Sequence, residues 1–423
     1  MKHSPLLLAG LVVLSFAWAF GLLSPRSALS GSDALLAQTG DPTASADPLL
    51  ASPEALRAAY TLSTDQWPPA HVDEGVAFEE LGLLPDVIHP EDNQPTKDRV
   101  DLGKMLFFDP RLSTSNQIAC ASCHDPDLGW ADGRTTSFGH QRKQLGRNAP
   151  TSLYAGHWDR LFWDGRAESP EDLVVAVITN RDELRSTAEE IEAKFNAIPE
   201  YREYFSEAYG VDTITLDDLA KAVALFMRST SEGRSRFDSF LRGRHNALSD
   251  AELRGLHLYR TKALCMNCHS GPLLSDNAFH NTGLTLFGTP REDLGRYHET
   301  GDPADVGAFK TPTLRNIDKT RPYMHHGLFE SLEVTVRAYN GGMPSPAGRN
   351  AEPGPNRPLP VKDERVHRLN LTEQEIHDVV AFMETLSEPH RVFRAPTLPP
   401  DPFAEDAVDP GHAGIKRPPA PAP

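Results

Sequence analysis

The sequence predicts a mainly α-helical protein made of two similar units, and the prediction rests on three features. Apolar residues recur at helical spacing behind clear N-caps. No stretch sustains the period-two alternation expected of a large sheet. A short pattern also occurs twice, as Gly103-Lys104-Met105-Leu106-Phe107 and as Gly255-Leu256-His257-Leu258-Tyr259, each copy followed by a loop and a Cys-x-x-Cys-His frame.

Taken in chain order, the helices have physical starts. Ser169 is an N-cap, Pro170 suits the first helical position, and Glu171 and Asp172 complement the positive end of the helix dipole. Thr215 with Asp218 opens a helix whose apolar stripe is Leu216, Leu219, Ala220, Val223, Ala224 and Met227. Ser249 with Glu252 forms a capping box ahead of Leu253, Leu256 and Leu258. Thr372 with Glu375 forms another ahead of Ile376, Val379, Val380 and Met383.

The chain has 423 residues, enough for two domains with cores of their own. Its net charge of -17 disfavours nucleic acid, whose phosphates need a basic face. An acidic surface fits a basic partner protein or serves solubility alone. Lys2 and His3 precede an apolar run from Pro5 to Leu23, with small residues at Ala17-Trp18-Ala19 and from Ala28 to Ser30. That is the layout of a secretory signal over residues 1–30, and export to a periplasm is expected. The run is also close to spanning length, so cleavage and anchoring in the membrane both stay open. Residues 31–63 are rich in Ala, Ser and Pro and read as a flexible linker; residues 396–423 read as a Pro-rich disordered tail. Between them the repeat divides the chain into units 64–244 and 245–395.

All four cysteines fall in two identical frames, Cys120-Ala121-Ser122-Cys123-His124 and Cys265-Met266-Asn267-Cys268-His269. Two thiols at this spacing form thioethers with the vinyl groups of a haem, and the next histidine lies under the iron. A lone frame would also fit a redox dithiol or half a zinc site. Two frames, each followed directly by histidine and with no cysteine left over, favour two covalent haem c groups. The repeated unit is then a cytochrome-c-like helical domain.

The chain resembles the bacterial dihaem cytochrome c peroxidase family, which includes MauG-type enzymes. The resemblance runs from Leu102 to Leu386. It rests on Leu102-Gly103-Lys104, Pro110-Arg111-Leu112-Ser113, the first frame, Gly146-Arg147-Asn148-Ala149-Pro150-Thr151 and Phe162-Trp163-Asp164-Gly165-Arg166. The second half adds Phe279-His280-Asn281-Thr282-Gly283, Gly295-Arg296-Tyr297, Thr311-Pro312-Thr313-Leu314-Arg315-Asn316 and Pro322-Tyr323-Met324-His325. It implies an N-terminal haem that meets peroxide and a C-terminal haem that takes in or stores electrons.

The resemblance also implies site residues. Trp163 matches the tryptophan between the haems, proposed to relay electrons; a buried core aromatic is the plainer reading. Glu183 falls at the distal glutamate, counted from Trp163, and would move a proton between the oxygens of peroxide. A charge on a helix surface is the alternative. The glutamine and proline usual upstream of that glutamate are Leu173 and Val177 here, which implies a drier pocket. His140, sixteen residues after His124, matches a sixth ligand of the first haem; a solvated loop histidine is the alternative. Tyr339 falls where the family's peroxidases carry a methionine ligand and MauG-type enzymes a tyrosine; Met343 and Met324 are neighbouring alternatives, and Tyr339 packing alone is another. Asn148, Thr320 and Pro322 match the positions that hold one calcium ion.

Three functions remain. The leading one is reduction of hydrogen peroxide with electrons from a small donor protein, a cytochrome c or cupredoxin. The second is MauG-type oxidation of side chains on a partner protein, which Tyr339 favours. The third is a non-catalytic dihaem electron-transfer cytochrome, against which Glu183 and Trp163 together argue. A homodimer is compatible with all three.

Overall fold

The computed structural model of the protein describes residues 47–401 apart from 231–232, 349–350 and 355–356. The expected signal segment 1–30 and all of the expected tail beyond Asp401 lie outside the described residues. The helices are α1 (Pro53–Tyr60), α2 (Lys97–Phe107), α3 (Pro170–Thr179), α4 (Ala188–Asn196), α5 (Pro199–Tyr209) and α6 (Leu216–Arg228). They continue with α7 (Arg236–Leu241), α8 (Asp250–Arg260), α9 (Tyr297–Thr300), α10 (Leu332–Asn340) and α11 (Glu373–Glu384). One antiparallel ribbon pairs β1 (Phe279–His280) with β2 (Phe309–Lys310), Phe279 opposite Lys310 and His280 opposite Phe309. The protein is mainly α. Among the described residues no helix is long and apolar enough to cross a membrane.

The sequence repeat is a repeated helix crossing. In the first half α2 packs on α6; in the second α8 packs on α11. Each crossing is made at the repeated glycine. A Cβ on Gly103 would lie 2.0 Å from Ala222 O, and one on Gly255 would lie 1.9 Å from Asp378 O. Only a residue without a side chain lets the backbones approach so closely. One core gathers Leu102, Leu106, Val174, Ile178, Leu219, Val223 and Phe226. The other gathers Leu253, Leu256, Tyr259, Ile376, Val379 and Phe382. The caps at Ser169, Thr215, Ser249 and Thr372 each accept the backbone N–H three residues on.

The two cores do not divide the chain where the linear repeat suggests. Residues 47–63, expected as part of a flexible linker, are folded from Asp47 onward. Ser52 caps α1, Pro53 takes its first position, and Leu56 and Tyr60 are buried in the second core. Burying a side chain such as Leu56 is worth about 1.5–3 kcal/mol, which holds a short helix that would not form alone. Trp67 and Leu81, which the expected boundaries put in the first unit, join the same second core. At the other end Phe393 stacks on Phe108 with ring centres 5.3 Å apart, and Arg111 Nη1 donates to Pro400 O at 3.2 Å. The expected tail therefore begins as ordered chain on the first half, because Arg111 and Phe108 give it partners.

Candidate active site

Each Cys-x-x-Cys-His frame folds as one tight turn, so its two thiols and its imidazole face the same way. Cys123 and His124 both donate backbone N–H groups to Cys120 O at 3.1 Å. Cys268 and His269 do the same to Cys265 O, at 3.3 and 2.8 Å. The histidines are held alike: His124 Nδ1 is 2.9 Å from Trp130 O and His269 Nδ1 is 3.0 Å from Leu274 O. A carbonyl only accepts, so Nδ1 carries the proton and Nε2 keeps a lone pair for a metal. Burial lowers the pKa of both imidazoles, which keeps them neutral. Burial also pushes the thiols of Cys120 and Cys265 up to about 12 and that of Cys123 to about 11. Such thiols are protonated at neutral pH. These donors fit haem c.

Both frames open onto one cavity of about 800 Å³. In the first half its wall includes Leu173, Val174, Val177 and Ile178 of α3, a mostly apolar face where the resemblance implied a dry pocket. Glu183 lines the cavity from the turn that follows α3, not from a helix surface. Asn180 builds that turn: its carbonyl accepts from the N–H groups of Glu183 at 3.0 Å and Arg185 at 2.9 Å. Its side-chain Nδ2 donates to Glu183 Oε1 at 2.7 Å. Burial raises the pKa of Glu183, with Arg166 and Asn180 opposing. The carboxylate of Glu183 adds to the raised proton affinity of Cys120 and Cys123, which places it near the first frame.

His140 does not line this cavity. It is buried beside the Glu183 turn with Nδ1 unpartnered, and its backbone N–H donates to Asp182 O at 3.0 Å. Gly139 explains the close fit, since a Cβ there would lie 2.0 Å from the same carbonyl. The loop therefore braces Glu183, with His140 behind it rather than on the cavity wall.

Trp163 lines the cavity at the junction of the halves. Its Nε1 donates to Asn148 O at 2.9 Å, and its own carbonyl accepts from Lys310 N–H at 2.8 Å. Asn148 N–H in turn donates to His325 O at 2.7 Å. Asn148, Thr320 and Pro322 also line the cavity. Asn148 Nδ2 donates to Arg134 O at 2.7 Å, which leaves Oδ1 as the oxygen a hard cation would use.

In the second half Tyr339, near the C-terminus of α10, lines the cavity. Burial raises its pKa, and the nearby thiols Cys268 and Cys265 raise it further, so it belongs to the second frame. Met324 lines the cavity as well, whereas Met343 does not. Met343 is buried behind the turn that ends α10, its N–H donating to Ala338 O at 2.9 Å.

Several charged groups at the site escaped the sequence reading. Arg166 lines the cavity and pairs with Asp164 at 2.9 Å; Arg147 joins Asp164 at 2.5 Å to Asp293 at 2.7 Å. Cys268, Asp276 and His280 have metal-ligand spacing. His280, however, gives Nε2 to Asp276 at 2.8 Å and Nδ1 to Asp363 at 2.6 Å. Although burial opposes it, these carboxylates and Cys268 raise its pKa to about 11, and both of its ring nitrogens are engaged by carboxylates. Arg147, Asp164, Arg166, Cys268 and His280 lie inside the family motifs, but nothing in a one-dimensional pattern pairs Arg147 with Asp293.

Fold and cavity define a class: a mainly helical protein with two haem-c attachment frames on one cavity. A family profile described as di-haem cytochrome c peroxidase matches residues 97–246. The chain is 36% identical over 338 residues to cytochrome c551 peroxidase of Nitrosomonas europaea, covering 77% of this chain and 92% of that protein. It is 35% identical over 316 residues to the methylamine utilization protein MauG of Methylorubrum extorquens, covering 74% and 85%. A solved MauG-like protein associated with microbial copper homeostasis superposes with a TM-score of 0.65 at 33% identity, covering 72% of this chain and 93% of the other. The chain belongs to the dihaem cytochrome c peroxidase/MauG family.

Proposed function

We propose that the chain is an exported oxidoreductase with two covalent haem c groups that reduces hydrogen peroxide to water, drawing electrons from a small redox protein such as a cytochrome c or cupredoxin. The observation that carries this reading is Glu183, a carboxylate of raised proton affinity at the first frame, held by Asn180 against a mostly apolar wall. Peroxide reduction takes up two electrons and two protons and releases two waters. Cys120, Cys123 and His124 would hold the haem, which would supply redox-active iron for peroxide cleavage. Glu183 takes the proton from one peroxide oxygen and returns it to the other, which leaves as water. Asn180 fixes Oε1, so Oε2 faces the substrate. Leu173, Val174 and Val177 keep bulk water out, which strengthens each polar contact inside. Cys265, Cys268 and His269 would hold the haem that takes in electrons, and Trp163 lies where it would carry them across the junction.

A calcium ion bound by Asn148, Thr320 and Pro322 would fix the same junction through oxygen donors. The segment 1–30 directs the chain to the periplasm in this reading.

A second reading is favoured by one observation. Tyr339 lies at the second frame, where a phenolate ligand would lower the potential and favour higher oxidation states, as suits oxidation of a partner protein. A non-catalytic cytochrome would need both irons six-coordinate, which the position of His140 does not favour. The test is peroxide consumption by Glu183→Gln under saturating reductant. A fall of about 10²–10⁴-fold with both haems present supports the reading. An unchanged rate removes Glu183 from the chemistry.

A further inference from the structure

The cavity wall contains a lysine that the proposed reaction does not use. Lys310 ends β2 and lines the cavity. Its Nζ donates to Arg160 O at 3.0 Å and lies 3.6 Å from the centre of the Trp158 ring. Those contacts are one neutral carbonyl and one aromatic face. No described carboxylate forms a salt bridge with it, and Asp159 acts on it only at longer range. A cation withdrawn from water without an anion is strongly disfavoured; burial accordingly lowers its pKa to about 7.

The position is rigid. The Lys310 N–H donates to Trp163 O at 2.8 Å, and Phe309 beside it stacks on His325 with ring centres 3.5 Å apart. His325 also lines the cavity, with its Nε2 buried and unpartnered. The junction therefore presents a fixed lysine amine without an anionic partner and an imidazole nitrogen without a hydrogen-bond partner. What fills the cavity must bring the anion.

We propose that Lys310 binds a carboxylate side arm of a haem at the junction between the two halves, forming an ion pair that exists only when haem is in place. This rests on the dihaem reading. The pair makes Lys310 a positioning residue: it fixes the edge of the haem beside Trp163, and its charge offsets a carboxylate that would otherwise favour ferric iron. Either haem could supply the carboxylate, and the haem whose potential responds identifies the source.

The experiment is a redox titration of each haem in the intact holoprotein and in Lys310→Met and Lys310→Arg, without peroxide. In Lys310→Met the reduced-to-oxidised ratio of one haem at fixed potential should fall about tenfold, 59 mV for a one-electron couple. Lys310→Arg should recover most of that fall. Unchanged potentials in Lys310→Met with both haems bound would overturn the proposal. Should Lys310→Met not fold, the infrared spectrum of the unaltered holoprotein with ¹³C-labelled haem carboxylates decides. One carboxylate band displaced from the solvated position supports the pair, and solvated bands alone overturn it. Covalent haem content, assayed separately, tests the dihaem reading itself: its absence from the unaltered protein would overturn that reading instead.

Discussion

The two halves carry the same Cys-x-x-Cys-His device and differ in the side chains that line the cavity with it. Both frames form a single turn, both histidines give Nδ1 to a carbonyl, and both helix crossings are made at a glycine. With the first frame, the aliphatic side chains of α3 and the carboxylate of Glu183 line the cavity. With the second, a side chain able to bind iron, Tyr339, lines it, with Met324 also on the wall. The contrast teaches that duplication supplied two equal anchors. In the proposed reading the chemistry is then separated by their neighbours: an acid–base group where substrate would bind, a candidate ligand where electrons would rest.

The largest expected effect tests the equal part of the comparison. Cys120→Ala with Cys123→Ala should remove one covalent haem and leave the other, and Cys265→Ala with Cys268→Ala should do the converse. Haem staining of denatured protein reads the result, and loss of both haems from either pair would mean the halves do not assemble independently.

Next comes the acid–base side of the contrast. Glu183 must be ionised to accept a proton, and burial raises its pKa. On acidification its rate should therefore begin to fall at a higher pH than for an exposed glutamate. In Glu183→Gln this acid limb should vanish along with about 10²–10⁴-fold of the rate. An acid limb that persists in the variant would assign the titration to another group.

The ligand side is sharpened by Tyr339→Phe, which keeps the ring and removes the phenol oxygen. If Tyr339 binds iron, the visible spectrum of the second haem should change while that of the first does not. No change would assign Tyr339 to packing and turn attention to Met324→Leu. The smallest effect concerns the shared scaffold: Gly103→Ala and Gly255→Ala should each destabilise by about 1–3 kcal/mol, the usual cost of overpacking. Denaturant titration would show it, and an unaffected variant would mean that its crossing can open without penalty.

Much of this was legible in the sequence, and for local reasons. The frames, the capped helices at Ser169, Thr215, Ser249 and Thr372, and the repeated glycine are short-range patterns whose physics lies within a few residues. Glu183 and Trp163 needed the family resemblance, because a lone carboxylate or indole carries no mark of what it faces. The folded segment 47–63 was hidden by its Ala- and Pro-rich composition, although Ser52-Pro53-Glu54 before Leu56 and Tyr60 is a helix start with an apolar i, i+4 pair. The ordered contacts of Phe393 and Pro400 were not legible at all. They depend on Phe108 and Arg111, the latter 289 residues from Pro400. Lys310 was hidden for the same reason, since a lysine beside a threonine and a proline looks exposed until the fold buries it.

The central claim is that the two irons are unlike, one open to substrate and one fully ligated. Low-temperature electron paramagnetic resonance of the oxidised holoprotein as isolated tests it most directly. The account predicts one high-spin ferric signal and one low-spin ferric signal of equal weight, with the high-spin signal lost from the protein lacking Cys120 and Cys123. Two low-spin signals of equal weight would contradict it, for then neither haem would offer peroxide a site.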